Sequence, residues 1–415
     1  METTPKSLRL QVGLFGRTNV GKSSVMNLIA GQDVALISPI PGTTTDVVDK
    51  PIELLPLGPV SLLDTAGFDD VSELAEGRIY RTRRILDRAE IILLIVEPNT
   101  WTDYEEQIIS EIKDRKIPYV IIVNKTDLKQ PDEKFKKLLK TKADYIIYLS
   151  AIQIDKRDEY LTKIKDTLIA LAPDNYIKPL PLLGDLIPKG GLVVMIMPID
   201  KEAPKGRLIL PQVQALRDVL DNDSISIVTK ETEYPAVLPL LKRKPDLVVC
   251  DSQVVDLMMA ETPEDIKTTT FSILFARYKG DLIEEVKGAA AVKHLRDGDK
   301  VLIAEACSHH ANEDDIGRVK IPRWLRQFTK AEIQIEHAQG RDFPDNLKEY
   351  AVVVHCGGCM LTRNEKLVRI DKCKHAGVPI TNYGLTISLT QGVLERALSP
   401  FPEALDAFRN WKGKD

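Results

Sequence analysis

The chain has 415 residues, with 57 Lys plus Arg against 61 Asp plus Glu, a formal net charge of −4 and 43% hydrophobic residues. That composition supports ordinary buried cores and about three domains of roughly 150 residues each, and no apolar run approaches the ~20 residues that cross a bilayer. With no signal-peptide pattern at the start a cytoplasmic location is expected, near-balanced charge without a long basic run argues against a nucleic-acid partner, and five cysteines read as ligands or buried thiols rather than disulfides.

The apolar run from Leu8 to Phe15 predicts a strand, followed by Gly16-Arg17-Thr18-Asn19-Val20-Gly21-Lys22-Ser23, which opens an amphipathic helix. This is a complete phosphate-binding loop: its glycines turn backbone N–H groups toward phosphate oxygens, and the helix N-terminus adds partial positive charge. Lys22 neutralises the terminal phosphates, and Ser23 offers a hydroxyl to Mg²⁺. Thr43, Thr44 and Thr45 follow on a Pro/Gly-rich segment, where a loop can close a hydroxyl onto the metal. The strand predicted from Val60 to Leu63 ends in Asp64-Thr65-Ala66-Gly67, placing a carboxylate where it holds Mg²⁺ through water.

The strand from Tyr119 to Val123 ends in Asn124-Lys125-Thr126-Asp127. Asp127 offers two acceptors to the N1–H and N2 donors of guanine, and read as a buried carboxylate it rejects the wrong base by something like ~10⁴-fold. Ser150-Ala151, after the strand from Tyr145 to Leu149, delivers a backbone N–H to the guanine oxygen. Five such segments in this order specify GTP rather than ATP.

Over about residues 8 to 172 the chain resembles the translation-factor-related GTPases of the Era, EngA and TrmE type. The resemblance implies that Asn19 helps to bind K⁺, that hydrolysis is K⁺-stimulated, and that Thr44 of Gly42-Thr43-Thr44-Thr45-Asp46 holds Mg²⁺; Thr45 stands where that family has arginine. Phe68 occupies the position of the water-orienting Gln of Ras-like enzymes, and an apolar ring cannot orient water. Glu76 lies where TrmE-type proteins carry a catalytic glutamate, although a solvated acid on a helix capped by Ser72 fits equally well.

Pro173, Pro179, Pro181, Pro188 and Gly190-Gly191 interrupt any regular element, so residues 173–191 read as a linker after a GTPase domain at 1–172. Strands from Leu192 to Met197, Ser224 to Val228 and Leu247 to Cys250 alternate with helices from Gln212 to Leu220 and Tyr234 to Lys242. They predict a small α/β domain at 192–265 without a catalytic constellation, Cys250 being a buried strand residue. Glu261 to Thr270, polar with a Thr triplet, is a softer boundary. The fold class expected is α/β: a P-loop GTPase domain followed by two smaller α/β domains with largely parallel sheets.

In the last part, at 266–415, the strand from Val301 to Ala306 runs into Cys307-Ser308-His309-His310, and that from Ala351 to Val354 into His355-Cys356-Gly357-Gly358-Cys359. In a parallel sheet both clusters emerge at one carboxyl edge, where such folds place ligands. Zinc would accept three Cys and one His; a [4Fe-4S] cluster would take three thiolates and leave one iron for a weaker ligand. Gly357-Gly358 suits close approach of backbone N–H groups to sulfides, which favours iron.

Cys307-x-His309 and His355-Cys356-x-x-Cys359 behind an Era-like GTPase domain resemble the HydF family of [FeFe]-hydrogenase maturation GTPases, over essentially the whole chain. The resemblance implies a homodimer through the middle domain and a [4Fe-4S] cluster on Cys307, Cys356 and Cys359. It further implies a scaffold that receives a di-iron precursor from two radical-enzyme maturases and passes it to apo-[FeFe]-hydrogenase. His309 and His355 are ligands or groups that orient the site, and one of Glu313, Asp314 and Asp315 could fill a fourth position. His310 is less motif-bound; Cys373, His375, His294 and His337 read as structural. The alternative class is an Era-like GTPase with a structural zinc domain acting in RNA or ribosome maturation, disfavoured by the absence of a basic stripe with interleaved aromatics.

Overall fold

The computed structural model describes residues 5–30, 48–55, 57–64, 75–173, 176, 180–199, 208–306, 315–340 and 343–413. They fall into two compact units, Met1–Pro179 and Leu180–Asp415.

The first unit is built on strands β1 (Leu10–Phe15), β2 (Val48–Leu54), β3 (Gly58–Asp64), β4 (Ile91–Val96), β5 (Tyr119–Val123) and β6 (Ile146–Tyr148). They lie in the order β2-β3-β1-β4-β5-β6, parallel throughout except for β2, which pairs antiparallel with β3. β1 and β4 are buried at every residue, Gln11 of β1 included, as strands are when helices cover both faces of a parallel sheet. Those helices are α1 (Lys22–Ala30), α2 (Ala75–Arg88), α3 (Asp103–Asp114), α4 (Glu133–Lys142) and α5 (Arg157–Leu171). Their apolar residues form one core on each face of the sheet. All parallel strands therefore end at the same edge, and the loops after β1, β3, β4, β5 and β6 leave from it.

Among its described residues the second unit holds two four-stranded sheets, each wholly parallel. One has the order β10-β9-β7-β8 and comprises β7 (Leu192–Ile196), β8 (Ile225–Thr229), β9 (Leu247–Cys250) and β10 (Thr268–Thr270). The other has the order β12-β11-β13-β14 and comprises β11 (Lys300–Ala304), β12 (Gln334–Ala338), β13 (Val352–His355) and β14 (Ile380–Asn382). Helices α6 (Leu210–Asp221), α7 (Tyr234–Leu240), α8 (Val255–Glu261), α9 (Phe271–Lys279), α10 (Leu282–Val292), α11 (Ile321–Thr329), α12 (Arg363–Ala376), α13 (Tyr383–Thr390), α14 (Leu394–Ala397) and α15 (Pro402–Arg409) surround them. One apolar core joins the two sheets, running from Val193 and Val248 through Phe275 and Val286 to Val301 and Val352.

Two polar stretches are more ordered than their composition suggests. Asp218 on α6 accepts the N–H groups of Leu182, Leu183 and Gly184 at 3.0, 2.8 and 2.7 Å, which anchors the end of the Pro-rich segment. The Thr triplet is strand β10, fully buried. β-Branched threonine suits a strand, and two of its hydroxyls find partners: Thr268 donates to the carbonyl of Arg396 at 3.2 Å, and Thr270 caps α9 by accepting the N–H of Ile273 at 3.2 Å.

Candidate functional sites

The first site is the loop between β1 and α1. Gly16 sits at φ 152° and Gly21 at φ 93°; a Cβ would lie 2.4 Å from the carbonyl oxygen of Ile95 at the former and 2.3 Å from Asn124 Nδ2 at the latter. Neither position accepts a side chain. Asn19 adopts the left-handed conformation, φ 64°, which asparagine tolerates better than most residues. Lys22, the first residue of α1, is buried, and its Nζ donates to the carbonyls of Gly16 at 2.8 Å and Arg17 at 3.0 Å, so the ammonium lies across the mouth of the loop. Val20 is buried, Ser24 half-buried and Ser23 exposed.

A brace that sequence reasoning missed holds this loop from the side. Arg17 Nε donates to the fully buried Glu105 at 2.7 Å, and the other carboxylate oxygen accepts the N–H and hydroxyl of Thr102 at 2.8 and 2.6 Å. The available signal was the capping box Thr102-x-x-Glu105 at the start of α3.

Asn124, directly after β5, joins three loops. Its Nδ2 donates to the carbonyl of Val20 at 2.9 Å and its Oδ1 accepts the N–H of Ala151 at 3.0 Å. Lys125, at φ 63°, donates to the carbonyl of Asn19 and pairs with Glu97 at the end of β4. Ser150 is buried, whereas Asp127 is exposed on its turn. Exposure corrects the expectation of a buried carboxylate: any selectivity for guanine would rest on its two acceptor oxygens, not on burial within the protein. Asp64 ends β3, buried and in register with Leu14 of β1. Thr43, Thr44, Thr45, Gly67, Phe68 and Ser72 lie outside the described residues. Glu76 belongs to the first turn of α2.

The second site is the carboxyl edge of the β11–β14 sheet. β11 and β13 are parallel neighbours with Ala304 opposite His355, so the two cysteine-bearing segments leave the sheet side by side. The N–H of Cys356 donates to the carbonyl of Ala304 at 2.9 Å, and the N–H of Ala306 donates to Cys356 Sγ at 3.2 Å. Gly358, at φ 67°, turns the chain between Cys356 and Cys359, both partly exposed. Burial pushes the Cys356 thiol up, while the N–H groups of Ala306 and Gly358 work the other way. Cys307, His309, His310, Glu313 and Asp314 lie outside the described residues, and among those described no group of three His, Cys, Asp or Glu side chains gathers as a metal site.

His355 is engaged at both ring nitrogens. Arg369 Nη1 lies 2.9 Å from Nε2, and Nδ1 lies 2.6 Å from the carbonyl of Cys356. Burial and the neighbouring Arg369 and Lys366 hold its pKa well below the ordinary value, so the ring is neutral with its proton on Nδ1, donated to Cys356. Asp315 is also engaged, accepting the N–H of Arg318 at 2.8 Å to start a π-helical turn at Ile316–Lys320. Of the remaining cysteines and histidines, Cys250 is buried in β9, and Cys373 is buried with its thiol pushed up to about 12. His294 packs at a tilt against Trp411, His337 faces the carbonyl of Gly317, and His375 the carbonyl of Asp371.

Sequence reasoning also missed the cations of this site. Lys279, Lys366 and Arg369 are each at most 6% exposed. Lys366 pairs with buried Glu285 at 2.8 Å and packs its Cδ 3.6 Å from where a Cβ of Gly358 would stand; Arg369 also donates to the carbonyl of Gly340 at 3.0 Å. Lys279 Nζ donates to the carbonyls of Cys359 and Leu361, and burial lowers it to about 8. Cysteine sulfurs beside buried ammonium and guanidinium groups, with N–H donors aimed at sulfur, suit an anionic cluster that would bind them as thiolates.

Residues 11–125 match the 50S ribosome-binding GTPase family model, residues 182–280 the hydrogen maturase F dimerization domain, and residues 283–400 the hydrogen maturase F tetramerization domain. Among curated proteins, the tRNA modification GTPase MnmE of Prochlorococcus marinus (strain NATL1A) is 38% identical over 146 residues, 34% of this chain and 31% of that protein. The same enzyme of Clostridioides difficile is 31% identical over 158 residues, 38% of this chain and 34% of that protein. The chain thus spans about a third of the length of these relatives. Among solved structures, Era of Aquifex aeolicus bound to GDP and AlF4⁻ is 20% identical, covering 56% of this chain and 98% of that one, with a TM-score of 0.32.

Proposed function

This chain belongs to the hydrogen maturase F family, and from that premise we propose that it is a GTP-hydrolysing scaffold for [FeFe]-hydrogenase maturation, working as a homodimer. The carrying observation is the register of β11 and β13, which brings the chain leading toward Cys307 beside the Cys356 loop at one sheet edge, next to buried cations.

In the first unit, Lys22 neutralises the terminal phosphates of GTP, Ser23, Thr44 and Asp64 hold Mg²⁺, and Asn19 helps to hold K⁺. Gly16, Val20, Gly21 and Ser24 supply the cradle, Gly67 the phosphate-facing turn, and Asn124, Lys125, Asp127, Ser150 and Ala151 the guanine side. Glu76 orients water in place of Phe68.

In the second unit, Cys307, Cys356 and Cys359 hold a [4Fe-4S] cluster, which supplies a redox-active centre with one iron not bound by thiolate. His355 orients the loop through its bond to the Cys356 carbonyl and is itself held by Arg369; His309 serves the other strand end. The cargo is a di-iron precursor, received from radical-enzyme maturases and passed to apo-[FeFe]-hydrogenase. Self-association uses β8, an edge strand among the described residues with exposed Ile225 and Val228.

Activation of apo-hydrogenase in the presence of the other maturases tests the reading. Lys22→Ala and Cys359→Ser should each abolish it; full activation by either overturns it. A colourless, zinc-containing protein would instead favour the ribosome-linked alternative.

A further inference from the structure

Lys279 ends α9, inside the stretch that matches the dimerization domain, yet its ammonium sits on the cysteine loop of the tetramerization domain. Its Nζ donates to the carbonyl of Cys359 at 3.2 Å and to that of Leu361 at 2.9 Å, with the residue 2% exposed. Among the described residues no carboxylate pairs with it directly; Glu365 acts on it only at longer range, where burial outweighs it. A buried cation without a counter-ion is costly to a fold, and an apolar residue of similar length is ordinarily no worse. The charge makes physical sense where the neighbouring loop brings negative charge of its own, and two carbonyl bonds are the means by which a side chain on one module fixes the backbone of another.

We propose that Lys279 is a positioning residue for the iron–sulfur site: it clamps the loop after Cys359 to α9 and offsets the negative charge of the thiolate-ligated cluster. The proposal rests on the cluster reading given above. Two effects follow. The cluster is easier to reduce with the ammonium present, because cationic charge near a cluster favours its more negative state. The orientation of Cys359 is also tied to the helix of the dimerization module rather than to its own loop alone.

The test compares full-length wild-type protein with Lys279→Met and Lys279→Arg, each reconstituted anaerobically with iron and sulfide. Iron stoichiometry, the EPR spectrum of the reduced protein and the midpoint potential of the cluster are measured beside a circular-dichroism melt. Lys279→Met should keep its circular dichroism, shift the potential to a more negative value and alter the EPR line shape, and Lys279→Arg should restore both toward wild type. A purely structural role would move the melt and leave the potential in place. A Lys279→Met cluster with wild-type potential and spectrum overturns the proposal while leaving the cluster reading intact; a wild-type chain that binds no iron overturns both. Should Lys279→Met fail to fold, Lys279→Gln, which keeps a donor without the charge, carries the same expectation for the potential.

Discussion

The side-chain amide of Asn124 donates to the carbonyl of Val20 at 2.9 Å and accepts the N–H of Ala151 at 3.0 Å. The loop proposed to select the base is thereby fastened to the loop proposed to hold the phosphates. Asn124→Ala leaves two backbone groups unpaired, at a cost of about 1–3 kcal/mol for each that stays buried. GTP affinity should fall at least tenfold, with a lower melting temperature for the first unit, as read by titration and calorimetry. Wild-type affinity in this variant would show that the coupling does not matter for binding.

Asp127 should determine the identity of the base through its acceptor oxygens. Asp127→Asn replaces one acceptor by a donor, which suits xanthine, whose position 2 is a carbonyl. The variant should bind xanthosine triphosphate in preference to GTP. Unchanged preference in a competition assay would remove this segment from the guanine site.

Asn19 combines a positive φ with an exposed side chain on the phosphate loop. If its amide helps to hold K⁺, hydrolysis should rise several-fold when K⁺ replaces Na⁺, and Asn19→Gly should abolish the difference while preserving the backbone conformation. Turnover should be slow in either salt, well under ~1 s⁻¹, as it is for GTPases acting without a partner's catalytic group. Equal rates in K⁺ and Na⁺ would count against the ion.

The edge strand β8 exposes 55% of Ile225 and 46% of Val228. Val228→Lys places a charge on that edge, a device that blocks strand addition, and should convert a dimer to a monomer in light scattering. A dimer that survives the substitution is held by some other surface.

The parts of the fold most legible in the sequence were the strands written as short apolar runs. β5 and β9 lie where the apolar runs Tyr119 to Val123 and Leu247 to Cys250 place them, and β8 is shifted by one residue. α6 begins two residues before Gln212 because Pro211 fits the first turn of a helix. The β10 threonines looked like a polar boundary because composition cannot tell which hydroxyls find partners in a core. β14, only three residues long, is too short to show a period. The cations around Cys356 were the least legible: Lys366 and Arg369 lie on a polar helix, where charge ordinarily means solvent, and Lys279 lies far away in sequence. Only the packing of α9 and α12 against one loop turns them into a site.

The most direct test of the central claim is the iron content and low-temperature EPR of the reduced, anaerobically reconstituted protein, wild type beside Cys356→Ser. Wild type should be brown and give the signal of a reduced [4Fe-4S] cluster. Cys356→Ser should lose most of its iron and that signal while still hydrolysing GTP, because the phosphate loop belongs to the other unit. A Cys356→Ser protein with a full cluster and an unchanged spectrum, or a wild-type protein that takes up no iron, would contradict the account.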